Sequence, residues 1–314
     1  MKAAILAAGL GARLRPLTDL VPKTLMPVLN RPLLGVLLAQ LEEAGFTQVA
    51  VNTHHLAEQV QQFLASRPWS FQLSISPETE LLGTGGGLRQ LGEILRAETF
   101  LAINGDILTD LDLGAIYRSH RQEAAATLVL HDCPPFNNVW LNGAGKLAGI
   151  GEKPPGAQGP PLAYTGVQVV GRRMLVYIPP GGPSDLVAAW RRALAAGEAL
   201  DTLVVAGHFW QDLGTPGAYL TAHQRLLQGE APGLARSFGT LADPLIGPGS
   251  VIESEVKFGG GVSLGAGVRL APGAYLRRTV VWDGAAIEPG VELQDCIVAS
   301  GVRVSSSAKG QVLV

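Results

Sequence analysis

Residues 9–28 read Gly-Leu-Gly-Ala-Arg-Leu-Arg-Pro-Leu-Thr-Asp-Leu-Val-Pro-Lys-Thr-Leu-Met-Pro-Val. They follow an apolar run, Ala3–Ala8, that has the pattern of a buried first strand. Gly9 and Gly11 lack a Cβ, so the backbone after that strand can turn tightly and approach a ligand closely. The amides of such a turn can point at phosphate oxygens. Arg13, Arg15 and Lys23 place three fixed cations within fifteen residues of the turn. A glycine turn with this much positive charge suits a triphosphate better than a dinucleotide. The dinucleotide fingerprint G-x-G-x-x-G fails because position 14 is Leu, and the Gly-Lys-Ser/Thr of a P-loop is absent.

Working outward, the 314 residues suffice for one large domain and a smaller one, and 47% of them are apolar, enough for a substantial core. A formal charge of −2 gives no general attraction to nucleic acid or to an anionic membrane, so the cations of the glycine turn are a local feature. Cys133 and Cys296 fit no metal-ligand spacing and read as reduced thiols of a cytoplasmic protein. Met1–Ala8 runs straight into the glycine turn without a cleavage site, so it reads as a strand and not as a signal peptide. No apolar stretch is long enough to cross a membrane.

Helical spacing over Leu33–Ala44, Ala57–Ala65, Leu88–Leu95 and Leu113–Arg121 alternates with extended runs at Val49–Asn52, Phe71–Ser76 and Thr99–Ile103. This alternation predicts a Rossmann-like α/β fold with a mostly parallel sheet, in which ligands gather beyond the C-terminal ends of the strands. Short extended runs at Ala126–His131, Val139–Leu141, Leu147–Ile150 and Ala163–Val170 predict a β-rich lobe, with the Pro/Gly-rich residues 154–161 as an exposed loop. Helices are expected again at Asp185–Ala196 and Gly217–Leu227, around a strand at Leu203–Ala206. Residues 229–244 lack periodicity and read as a linker. Beyond them Ile246, Ile252, Phe258, Leu264, Leu270 and Leu276 recur every six residues, and after a one-residue slip Val281, Ile287 and Leu293 resume the series. A period of six excludes an ordinary antiparallel sheet and predicts a parallel β-helix. It resembles the left-handed β-helix of hexapeptide-repeat proteins, with roughly three coils of about 18 residues. The expected domains are therefore 1–228, a linker 229–244 and a β-helix 245–314.

The opening string matches G-x-G-x-R-[LM]-x-P-[LM]-T-x-x-x-P-K-x-L-x-P-V. It resembles the signature of the sugar-phosphate nucleotidyltransferases (NDP-sugar pyrophosphorylases), which join a nucleoside monophosphate to a sugar 1-phosphate. Further strings match in order along nearly the whole chain. Asp106 follows an apolar strand through Asn104-Gly105, and a carboxylate at a strand tip suits Mg²⁺, which prefers oxygen ligands and bridges phosphates. Asp212 lies in Trp210-Gln211-Asp212-Leu213-Gly214-Thr215-Pro216, similar to the family's W-x-D-[LIV]-G-T-P. The resemblance implies that Asp106 and Asp212 hold the metal, that Ala8, Gly9, Gly11, Ala12 and Arg13 bind the nucleotide, and that Gly85 and Gly86 of the Gly83–Gly87 run contact its base. It implies that Glu152 and Lys153 of Glu-Lys-Pro, with Tyr164-Thr165-Gly166, bind the sugar phosphate. Asp110 and Asp112 read as turn and cap residues of the next helix.

The implied substrates are an NTP and a sugar 1-phosphate, with neither nucleic acid nor membrane as partner. A sugar phosphate is already anionic at neutral pH, so its attack on the α-phosphate needs no general base. It needs charge cancellation and alignment, with Arg13 and Lys23 as catalytic cations beside Mg²⁺. Two alternatives come from other classes. Hexapeptide β-helices often belong to acyltransferases that use a histidine base, but residues 224–314 contain no histidine. A non-catalytic regulatory relative would have lost phosphate or metal residues, yet Arg13, Lys23, Asp106 and Asp212 are all present. The repeats then serve structure or self-association into a homo-oligomer. Base and sugar stay open: the glycine run is similar to UTP- or GTP-using members, the appended repeats to mannose-1-phosphate guanylyltransferases.

Overall fold

The computed structural model describes every residue of the chain except Thr240, which falls in the expected linker and lies outside the described residues. The chain folds into two compact units that interleave in sequence. One comprises Met1–Gly9, Leu38–Ile107 and Leu111–His208; the other comprises Leu10–Leu37, Leu108–Asp110 and Phe209–Val314.

The first unit is built on a nine-stranded mixed sheet. Its parallel part runs in the order Thr99–Asn104, Lys2–Leu6, Gln48–Thr53, Gln72–Pro77, with Ala4 opposite both Ala102 and Ala50. These strands are apolar nearly throughout because both faces are covered: Ala3, Ala4 and Ile5 are fully buried. The long strand Ala157–Gly171 joins antiparallel to Thr99–Asn104 and carries Val139–Asn142 and Ala126–His131 on its other partners. This is the β-rich lobe, completed by Leu147–Ile150 and by Leu200–Val204, which pairs parallel to Ala126–His131. Helices Gly83–Leu95 and Leu186–Ala195 pack Leu88, Leu91, Leu95, Ala189 and Trp190 over one face of the sheet. Each such aliphatic or aromatic side chain removed from water contributes roughly 1.5–3 kcal/mol.

Three elements differ from expectation. The strand expected at Leu203–Ala206 runs over Leu200–Val204, where it pairs with Ala126–His131. The helix predicted from Leu88 starts at Gly83, because the glycines make its buried first turns. The expected loop at 154–161 is partly strand: Ala157–Gly171 runs extended through Pro160-Pro161, with its register on Val139–Asn142 shifting between Gln158 and Leu162. Prolines, which have no amide to donate, are tolerated where the ladder is already irregular.

In the second unit, Ala12–Leu14 forms a 3-10 turn and Leu17–Leu20 a short helix, both anchored by the fully buried Leu14 and Leu17. A hairpin of Pro27–Val28 and Arg31–Pro32 follows, closed by Leu29 and Asn30. Both closing residues have positive φ, 44° and 66°, as a type I′ turn requires. Helix Pro216–Leu227 starts where Thr215 Oγ1 accepts the Ala218 amide at 3.2 Å, with Pro216 in its first turn. Within 229–244 lie two helical turns, Pro232–Leu234 and Ala235–Phe238, whose Leu234 and Phe238 are buried.

The repeats form a parallel β-helix: three all-parallel sheets of five, four and four two- or three-residue strands, as the left-handed hexapeptide solenoid requires. From the second coil on the six-residue series lies inside, with Leu264, Leu270, Leu276, Val281 and Leu293 fully buried, whereas Ile246 in the first coil is exposed and Ile252 and Phe258 are partly buried. The coil runs past the expected three turns. Ile297–Val298, Arg303–Val304, Ala308–Lys309 and Val312–Leu313 continue the three sheets after the clean six-residue spacing has ended.

Candidate active site

In the first unit, candidate residues gather at strand ends. Leu6 pairs with Asn104, and the Gly105 amide donates to Leu6 O at 2.8 Å. The half-buried Asp106 is thereby set beside the residues that leave the first strand, Ala7–Gly9. Gly166 closes against this corner with φ +82°. A Cβ there would sit 2.8 Å from Ile107 Cγ1 and 3.2 Å from Asn104 Nδ2, so the position is restricted to glycine on both counts. Thr165 is fully buried and its hydroxyl donates to Val129 O, while the Tyr164 ring meets Trp190 edge-on at 5.0 Å. Burial pushes the Tyr164 phenol well above its ordinary range. Gly166 thus packs on Asn104 and Ile107, the residues that flank Gly105-Asp106, whereas Glu152 and Lys153 lie on an exposed turn, with the Lys153 ammonium 5.3 Å from the centre of the Trp140 ring. Trp140 fixes its own indole by donating to Gly151 O at 2.8 Å. An aromatic face at this distance attracts a cation.

The glycine run opens helix Gly83–Leu95, and its smallness is used by the protein itself. The amides of Gly85 and Gly86 donate to Ser184 O at 2.8 and 3.3 Å. A Cβ on Gly86 would stand 2.8 Å from Gly182 O, and one on Gly87 2.6 Å from Asn52 Nδ2. Sequence reasoning missed Asn52 and Glu78. Asn52 Oδ1 accepts the Ala7 amide at 2.6 Å, its Nδ2 donates to Glu78 Oε1 at 2.7 Å, and Glu78 Oε2 accepts the Leu82 amide at 3.0 Å. This buried relay ties the start of the glycine turn to the base of the glycine helix. Its trace in the sequence is a polar residue near the end of one extended run, Asn52, and another just past the next, Glu78.

In the second unit the signature loop folds around one carboxylate. Gly11 takes φ +63°, and a Cβ there would come within 2.7 Å of Thr18 Cγ2 and 3.3 Å of Lys23 Cβ. Thr18 seals the turn by donating to Gly11 O at 3.0 Å. Lys23 Nζ then lies 3.7 Å from Asp212 Oδ1, and Arg13 Nη2 lies 3.9 Å from Asp212 Oδ2. The two cations are unequal: 9% of the Lys23 side chain is exposed against 67% of Arg13. Lys23 is fixed by packing; Arg13 is free to swing at little cost. Gly214 lets the carboxylate stand there, because a Cβ would meet Arg13 Nη2 at 2.6 Å and the Asp212 oxygens at 2.9 and 3.0 Å. The strand Trp210–Asp212 is held from behind: Thr109 Oγ1 donates to Phe209 O at 2.8 Å, and the Phe209 amide donates to Asp110 Oδ1 at 2.6 Å. In the first unit, Asp112 caps the next helix by accepting the Ala115 amide.

Asp106 and Asp212 offer hard carboxylate oxygens. Among the described residues no group of three or more His, Cys, Asp or Glu could hold an ion on its own. One or two carboxylates, with phosphates and water completing the shell, is the donor set that Mg²⁺ takes, so the chemistry of each carboxylate suits that ion.

Comparison with known proteins gives the family and the fold. A family model described as nucleotidyl transferase matches residues 2–229. A UTP–glucose-1-phosphate uridylyltransferase of a Synechocystis strain is 29% identical over 95% of this chain and 87% of its own length. A mannose-1-phosphate guanylyltransferase of Mycobacterium tuberculosis is 29% identical over 93% of this chain and 82% of its own. Among solved structures, HddC from Yersinia pseudotuberculosis superposes with a TM-score of 0.60, covering 70% of this chain and 97% of that one at 22% identity. At that identity the likeness is one of fold.

Proposed function

The chain belongs to the nucleotidyl transferase family, and on that premise we propose that it transfers a nucleoside monophosphate from an NTP to a sugar 1-phosphate, releasing pyrophosphate. The observation that carries this reading is the convergence of Lys23 and Arg13 on Asp212 inside the signature loop. The names of the relatives support the same reaction, with a uridylyl and a guanylyl transfer among them.

Asp106 and Asp212 would hold Mg²⁺, which when bound draws charge from the α-phosphate. Ala8, Gly9, Gly11 and Ala12 present the turn to the triphosphate. Lys23, immobile and buried, orients the phosphates around the reacting centre, and the exposed Arg13 follows the charge that develops on the departing pyrophosphate. Lys153, steadied over Trp140, steers the sugar phosphate, with Glu152 on the sugar hydroxyls and Tyr164-Thr165-Gly166 as the floor. Contact of Gly85 and Gly86 with the base would use their Cα faces, since their amides are taken by Ser184. Catalysis is then positioning and charge stabilisation in an in-line displacement.

The catalytic stretch is 1–228, joined through 229–244 to the repeats at 245–314, which offer a surface for self-association. An acyl transfer on the β-helix finds no base: His223, the histidine nearest the repeats, is 1% exposed and engaged by Leu29 and Tyr219. The deciding experiment is pyrophosphate release from four NTPs against a panel of sugar 1-phosphates. Release that requires both substrates is expected, with UTP and GTP the first nucleotides to try. Free thiol from acetyl-CoA, with no pyrophosphate from any pair, would refute the proposal.

A further inference from the structure

Helix Pro216–Leu227 stands between the β-helix and the loop that carries Lys23, and it is bonded to both. Tyr219, fully buried, donates its hydroxyl to Pro27 O, four residues beyond Lys23. That same hydroxyl accepts the Trp282 indole N–H of the β-helix at 3.1 Å. One turn along, His223 Nε2 accepts the Leu29 amide at 3.2 Å and Nδ1 donates to Tyr219 O at 2.9 Å. The hairpin tip is also held by the β-helix directly, through Asn30 Nδ2 donating to Leu264 O at 2.7 Å. The same helix grips the strand that bears Asp212: Arg225 Nη1 donates to Trp210 O and to Gln211 Oε1, both at 3.2 Å. Its own start, Thr215-Pro216, follows Asp212 by three residues. One helix therefore sets the spacing of Lys23 and Asp212, and the β-helix supplies the hydrogen that fixes the helix's key hydroxyl.

We propose that Trp282, acting through the Tyr219 hydroxyl, is a positioning residue for the Lys23–Asp212 pair, so that the β-helix is a working part of the transfer site. The proposal rests on the nucleotidyl transfer reading for its kinetic consequence, though not for its structural one. Both test variants remove the hydrogen bond: Tyr219→Phe keeps its ring and also loses the bond to Pro27 O, and Trp282→Phe keeps an aromatic ring but not the full indole volume. Each lowers kcat about tenfold while KM for both substrates stays within about twofold, because misplaced charge affects the transition state more than ground-state binding. The double variant is no slower than the slower single, because one interaction is lost only once. Leu293→Ala, which opens a cavity in the β-helix core away from the hairpin, lowers the melting temperature and leaves kcat unchanged. Amide hydrogen exchange gives a readout without turnover. In Tyr219→Phe the amides of Met26, Leu29 and Leu33 exchange at least about tenfold faster, with the inner β-helix strands unaltered.

Full kcat in both variants, fully additive losses, or a Leu293→Ala loss equal to theirs would overturn the proposal. Should the wild type transfer no nucleotide to any sugar phosphate, the reaction assignment falls, and the exchange measurement alone decides: unchanged exchange around Lys23 would overturn the positioning role.

Discussion

Arg13, Lys23 and Asp212 show how far a side chain's role is legible from its neighbours in sequence. The first two stand in a string long enough to be specific, and Asp212 in a second one, but that both cations pair with this carboxylate shows only in the fold. Asn52 and Glu78 stand in no such string, because a lone polar residue at or just past the end of an extended run has no pattern of its own; only the fold shows that they are each other's partners. His223 was passed over for the same reason. It is buried and neutral, with burial pushing its pKa down to about 4. Its Nε2 must stay an acceptor for the Leu29 amide, which protonation would forbid. The folded pKa lies below the unfolded value of about 6.5, so the stability it contributes is fully present above about pH 6.5 and is lost as pH falls toward 4. The amount is about 3 kcal/mol, and His131, lowered to about 4 by burial and by His208, adds in the same direction. Urea midpoints between pH 7.5 and 4.5 should fall steeply, and less steeply in His223→Gln. Equal slopes in both proteins would show that His223 is not held neutral.

Elements were legible where period and composition agreed. Helix Ala57–Ala65 appears with its expected bounds, and the six-residue series lines the β-helix. Misreadings fell where residues of poor propensity are used for packing. Glycine is the worst ordinary helix former, which hid the first turns of Gly83–Leu95. Prolines hid the start of Ala157–Gly171, and loss of regular spacing hid the last coil. The glycine helix gives a test at this scale. Gly87 faces Asn52 and Glu78 at distances a Cβ cannot occupy, so Gly87→Ala must displace the relay that holds Ala7. The gain in helix propensity, about 1 kcal/mol, is outweighed by overpacking of about 1–3 kcal/mol. The melting temperature is expected to fall and KM for the NTP to rise, whereas a more stable Gly87→Ala with unchanged KM would show that the tight contact is not needed.

At the scale of the whole chain, the two compact units draw on interleaved segments, a partition that composition along the sequence cannot display because contacts define it. Leu10–Leu37, the stretch that carries the signature, is packed in one unit with Phe209–Val314. Leu14, Leu17, Met26 and Val28 share a core with Tyr219, Leu220 and Trp282. The loop that would meet the triphosphate is therefore built on the same core as the repeats, and Asp212 is the carboxylate at which its cations end. The most direct measurement is the rate of sugar-1-phosphate-dependent pyrophosphate release by Asp212→Asn beside the wild type, with the thermal transition of each followed in parallel. A variant that melts as a single cooperative unit and loses at least about a thousandfold in rate is the expected result; a folded variant within tenfold of wild type would contradict a phosphate-transfer site centred on Asp212.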